Sequence, residues 1–146
     1  KSTALRIIAG LLTPDTGTVK FVGAKPEIGF VFQEPTLMPW GSALSNVRLP
    51  LDIEGMNRGE ASDRAARALA RVGLSGFEKA FPRELSGGMK MRVSIARAIP
   101  AEPKLLLMDD PFAALDELTR QALTHELVKP WAEHHLTVTL GISCLD

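Results

Sequence analysis

Apolar residues fall into two kinds of pattern along this chain. Leu105–Met108 is a short continuous apolar run, the pattern of a strand buried on both faces, and Ile28–Phe32 is a second apolar run that leads to Gln33. Val138, Leu140 and Ile142 mark a further buried strand over Val138–Ile142. Val19, Phe21 and Gly23 outline a short strand after Pro14-Asp15-Thr16-Gly17, a turn in which Gly17 is free to take positive φ. Elsewhere the spacing is helical. Leu5, Ile8, Ala9 and Leu12 predict a helix over Lys1–Gly10. Ala65, Leu69 and Val72 share one face of a helix that starts near Asn57, with Glu60 as capping-box partner and Gly73 as C-cap. Ser45–Val47 and Leu49–Leu51 read as the approach to that helix. Met89, Val93, Ala96 and Ile99 form a core stripe on another, which Pro100 and Pro103 stop. Leu118, Ala122 and Leu127 propose a last helix, broken at Pro130. The chain is of the α/β class.

The stretch Glu84–Asp116 adds chemistry to this pattern. Ser86-Gly87-Gly88 opens a helix, where free backbone N–H groups and the absence of side chains let an anion approach closely. Asp109 and Asp110 stand at the C-terminal end of the apolar run, where open α/β sheets place their ligand sites. An anion-binding turn beside a buried strand with an acidic tip points to nucleotide phosphate and a metal ion.

Composition narrows the setting. Seventeen basic and 17 acidic side chains balance, so no overall field draws the chain to nucleic acid or an anionic membrane. Arg64, Arg67 and Arg71 are diluted by Glu60 and Asp63 without interleaved aromatics, and read as a solvated helix face. The single cysteine, Cys144, excludes an internal disulfide and fits a reducing compartment. No apolar run approaches the roughly 20 residues of a membrane span, and no signal peptide is visible. The expected location is cytoplasmic. His125, His134 and His135 lack metal-ligand spacing and read as surface residues.

Three motifs, in order and at their spacing, carry a resemblance. Leu85–Met89 (LSGGM) resembles the signature motif of ABC-type ATPases, Leu105–Pro111 (LLLMDDP) their Walker B strand, and Ala114–Asp116 (ALD) their D-loop. Val31–Trp40 (VFQEPTLMPW) resembles their Q-loop, and the opening Lys1-Ser2-Thr3 the second half of a phosphate-binding loop. The resemblance implies a P-loop NTPase-type fold with a parallel-sheet core, residues 1–40 and 85–146, and an inserted helical subdomain, residues 41–84. It also implies that the glycines of the phosphate loop and the N-terminal part of such a domain are missing, the chain being truncated at both ends.

The implied ligands are ATP and Mg²⁺. Lys1, Ser2 and Thr3 would bind phosphate, with Ser2, Gln33 and Asp109 in the metal shell. Ser86, Gly87, Gly88 and Asp116 would bind the nucleotide held by a second ATP-binding subunit, since the family closes head to tail around two nucleotides. Gln33, Asp110 and Ser143 would be catalytic. The other partners would be a transmembrane permease and, indirectly, a periplasmic or extracellular binding protein, with the subunit peripheral on the inner face of the membrane. Nucleic acid is not an expected partner.

Two of these positions depart from the family. Asp110 stands where the family has Glu, a reach shorter by one methylene, roughly 1.5 Å. Ser143 stands where the family has its switch histidine, and a hydroxyl can bond phosphate but carries no imidazole charge. Met89, Met38–Trp40 and Met108–Arg120 resemble most the nitrate, sulfonate, taurine and bicarbonate importers. The reading is an energy-coupling importer ATPase. Its alternatives are a subunit that binds ATP but barely hydrolyses it, and a non-transport ABC ATPase of DNA repair or translation.

Overall fold

The computed structural model describes residues 2–111 and 137–141. Within them, three strands form one parallel sheet in the order β1 (Ile28–Val31), β2 (Leu105–Asp109), β3 (Thr137–Gly141). Ile28 pairs with Leu105 and Val31 with Met108, while Asp109 pairs with Gly141. The two continuous apolar runs thus lie side by side, and Leu106, Leu107 and Met108 are buried, as expected of a strand covered on both faces.

Among the described residues four α-helices accompany the sheet: α1 (Ser2–Ala9), α2 (Ala43–Ile53), α3 (Arg58–Arg71) and α4 (Gly87–Ala98). The first packs on β2 through Leu5, and Gly10 at φ 79° turns the chain out of it. Helix α3 keeps its expected face, with Ala65, Leu69 and Val72 buried and Arg67 and Arg71 exposed. Asn57 caps it through Gly59 N at 2.9 Å, and Gly73 at φ 71° lets Leu74 N reach Leu69 O at 2.9 Å. Glu60 does not close a capping box: its carboxylate pairs instead with Arg64, one turn on, at 3.0 Å.

The structure departs from the sequence reading in three further places. Ser45–Leu51 is no approach segment but the body of α2, capped by Ser42, whose hydroxyl accepts from Ser45 N. Pro50 lies inside this helix, and the chain still continues beyond it, Glu54 N reaching Pro50 O at 3.0 Å. Residues 19–23 form no strand: they pair with no other described strand, and Val22 projects fully into solvent. On α4 the stripe is wider than expected. Met91 and Ile95 are fully buried along with Val93 and Ala96, because the helix lies between α2 and α3 on one side and β1 on the other. No described helix is long and apolar enough to cross a membrane.

Candidate functional site

The ends of the parallel strands bring Asp109 and Asp110 to one edge of the sheet with Ser2 and Gln33. Asp109 is the last residue of β2, and its side chain is 4% exposed. Burial on that scale is costly for a carboxylate unless it is partnered. Its Oδ1 accepts a 2.7 Å hydrogen bond from the Ser2 hydroxyl at the start of α1, 107 residues away in sequence. Its Oδ2 is buried and accepts no hydrogen bond, and the Arg6 guanidinium stands 4.0 Å from it, an ion pair at the limit of contact. Arg6 is half-exposed, so the charge it offers is screened by water. Arg6 follows Ser2 by four residues and so shares its helix face, a spacing that could have flagged it.

A buried carboxylate oxygen without a donor, beside a serine hydroxyl, is a pair of hard oxygen ligands. Among the described residues no cluster of three His, Cys, Asp or Glu is set to cage an ion. Mg²⁺ suits this arrangement, since it takes one or two protein ligands and completes its octahedron with substrate phosphate and water.

Asp110 follows at φ 46°, a left-handed conformation that Asp adopts more readily than most residues, and it turns the chain sharply away from the sheet. Its side chain is half-buried. Gln33 stands two residues beyond the end of β1, next to β2, so the parallel register puts it at the same edge as Asp109 and Asp110. It is exposed and is not hydrogen-bonded to Ser2 or Asp109. Thr3 is exposed on the first turn of α1. Lys1, Asp116 and Ser143 lie outside the described residues, as do the helix proposed around Leu118–Leu127 and the three histidines.

The Ser86-Gly87-Gly88 turn is built as the sequence predicts. Ser86 is the N-cap of α4, its hydroxyl accepting from Met89 N at 3.2 Å. A side chain at Gly87 would meet nothing within 4 Å, and Gly87 has no positive φ. Neither internal packing nor backbone conformation therefore calls for glycine there, and the cleared space faces outward. Among the described residues no hydrogen bond joins this turn to Ser2 or Asp109, so the oxygen pair at the sheet edge and the exposed helix start are two separate features of the chain.

The family model described as ABC transporter matches residues 1–113, most of the chain, and takes in Ser2, Gln33, Ser86–Gly88, Asp109 and Asp110. The chain belongs to the ABC transporter family. It is 46% identical, over its full length, to 57% of an uncharacterized ABC transporter ATP-binding protein of Methanocaldococcus jannaschii. A nitrate import ATP-binding protein of Synechocystis is 46% identical over 90% of this chain and 51% of the relative. A taurine import ATP-binding protein of Yersinia pestis is 43% identical over 91% and 54%. This ABC chain thus spans about half the length of the curated relatives it matches. Its fold matches a solved ATP-binding cassette, a dimer in a post-hydrolysis state bound to ADP and Pi, with a TM-score of 0.87. That match is 34% identical in sequence and covers 98% of this chain and 69% of the other. The α/β, P-loop NTPase-type fold expected from the motifs is therefore the fold of the chain.

Two residues outside the motifs hold the segment that follows Gln33. Arg97, near the end of α4, donates from Nη1 to Thr36 O at 3.0 Å, and from Nη2 to Pro35 O at 3.2 Å and Thr36 Oγ1 at 3.1 Å. Burial pushes its guanidinium below its ordinary pKa, yet a guanidinium remains charged at neutral pH. Thr36 sits at φ 45°, which for a β-branched residue stores on the order of 1–3 kcal/mol. Asn46 is fully buried and ties the segment from Met38 to Ser42 to α2. No motif marks Arg97, since its partner lies 61 residues away.

Proposed function

We propose that this chain is the catalytic part of an ATPase subunit that powers import through an ABC transporter, of the nitrate, sulfonate or taurine type. The observation that carries the reading is the Ser2–Asp109 hydrogen bond with a buried, donorless Asp109 Oδ2 beside it. Such a carboxylate oxygen gains most from a cation, and the outward-cleared helix start at Ser86 gains most from an anion. The names of the nitrate and taurine import relatives support the substrate class, which the permease and binding protein would choose.

In this reading Lys1, Ser2 and Thr3 hold the phosphates of ATP, and Asp109 with Ser2 and Gln33 holds Mg²⁺. The ion, when bound, neutralises phosphate charge and fixes the γ-phosphate for in-line attack. Asp110 orients the attacking water, with Gln33 and Ser143 beside it. Ser86, Gly87, Gly88 and Asp116 close on the nucleotide of a second ATP-binding subunit, head to tail. Residues 41–84 form the helical subdomain that docks on the permease, with 1–40 and 85–146 as the core. Trp40, 77% exposed at the end of the Gln33 segment, supports a partner there. The subunit works on the cytoplasmic face of the membrane, the binding protein acting only through the permease.

Asp110 favours a second reading, a subunit that binds ATP but hydrolyses it slowly. A displacement of about 1 Å can cost about a hundredfold in rate, and Asp110 is shorter than Glu by more than that. Asp110→Glu in the full-length protein is therefore expected to raise steady-state phosphate release by at least several-fold. Glutamate tolerates the left-handed backbone less well, so a small fall in melting temperature accompanies the gain. An unchanged or lower rate in a folded variant contradicts the assignment of Asp110 to the water.

A further inference from the structure

Two observations meet at the end of α4. The helix is seated on β1: a side-chain carbon at Gly29 would come within 2.9 Å of Leu106, 3.0 Å of Pro103 and 3.2 Å of the Ala98 carbonyl. One residue before Ala98, the Arg97 fork grips Pro35 and Thr36 with three hydrogen bonds, and Thr36 is held in a left-handed conformation that it would not adopt unaided. Pro35 is only two residues from Gln33. The other end of α4, 11 positions back and so about 16 Å along the axis, is the Ser86–Gly88 turn. The helix between them is locked by buried Met91, Val93, Ile95 and Ala96.

We propose that Arg97 is a positioning residue that fastens the Gln33 loop to α4, so that loop and Ser86–Gly88 turn move as one body. The planar fork suits this role, because two nitrogens held in one plane serve two adjacent carbonyls and a hydroxyl, whereas an ammonium offers its three donors from a single atom on a flexible stem. A pull on the turn by nucleotide across the dimer then displaces Gln33, and a pull on the loop by a partner at Trp40 displaces the turn. This catalytic consequence rests on the proposed function, whereas the tether itself does not.

The test uses the full-length protein with Cys144→Ser and a spin label at Glu34→Cys, or at Lys90→Cys on α4 as a control. Arg97→Met is expected to raise label mobility several-fold at position 34 and to leave position 90 unchanged, with Arg97→Lys falling between. No change at 34, or equal change at both positions, overturns the tether. In phosphate release, Arg97→Met added to Gln33→Ala is expected to cost nothing further, since Arg97 acts through that loop. Losses that multiply in the double variant overturn the link to Gln33. Should the natural protein release no phosphate, the ATPase reading fails while the label still decides the tether.

Discussion

Ser86→Arg is expected to abolish phosphate release while leaving the fold in place. Ser86 is exposed, and its hydroxyl caps α4 through Met89 N. Losing that cap costs about 1 kcal/mol. A cation at the helix start adds roughly 0.3–1 kcal/mol of unfavourable interaction with the helix dipole. Neither is enough to unfold a domain whose core runs from Val31 through Met91 to Met108. The effect on function is of another size. The arginine fills the space that Gly87 leaves clear and fixes a bulky side chain where a phosphate of the second subunit would approach. A displacement of about 1 Å alone costs about a hundredfold, and an arginine displaces far more. Phosphate release together with a melting curve checks both halves. Normal turnover in a folded variant removes Ser86 from the nucleotide site.

Asn46→Ala is expected to cost about 2–4 kcal/mol of stability, a large loss for a single polar residue. The Asn46 side chain is fully buried. Its Oδ1 accepts from Met38 N at 2.7 Å, and its Nδ2 donates to Met38 O, Gly41 O and Ser42 O at 3.2, 3.1 and 3.0 Å. Alanine takes this partner from Met38 N and from the buried Gly41 O, while Met38 O and Ser42 O keep Gly41 N and Asn46 N as backbone donors, and it adds a cavity. The midpoint of thermal unfolding should fall by on the order of 10 °C. Arg67→Ala, on the exposed face of α3, serves as the control and should change stability by less than about 0.5 kcal/mol. An Asn46→Ala midpoint equal to the natural one contradicts the role given to this residue.

What the sequence made legible follows the range of the forces involved. The run Leu105–Met108 announced its strand because burial on both faces demands continuous apolar residues. The α3 face, its Asn57 cap and its Gly73 stop were legible because caps and periodicity act within a few residues. Helix α2 was not, since Pro50 reads as a breaker and only the packing of Val47 and Leu51 against α3 and α4 outweighs its missing donor. Residues 19–23 carried strand-like side chains, but a strand is made by its neighbour and none of the described strands is one. The site divides in the same way. Ser2, Asp109, Ser86 and Gly87 were put forward through motifs, whereas Arg97 and Asn46 were not. A hydrogen bond from Arg97 to Thr36 leaves no trace in local spacing, and a buried asparagine resembles an exposed one until the fold encloses it.

The central claim is that Asp109 and Ser2 form the metal side of an ATP site. Calorimetric titration of ATP into the full-length protein, with and without Mg²⁺, beside the Asp109→Ala variant, tests it most directly and does not depend on the rate of hydrolysis. Binding should tighten markedly with Mg²⁺ in the natural protein, and that gain should vanish in Asp109→Ala while the fold persists. ATP binding indifferent to Mg²⁺, or a gain undiminished by loss of the Asp109 carboxylate, would contradict it.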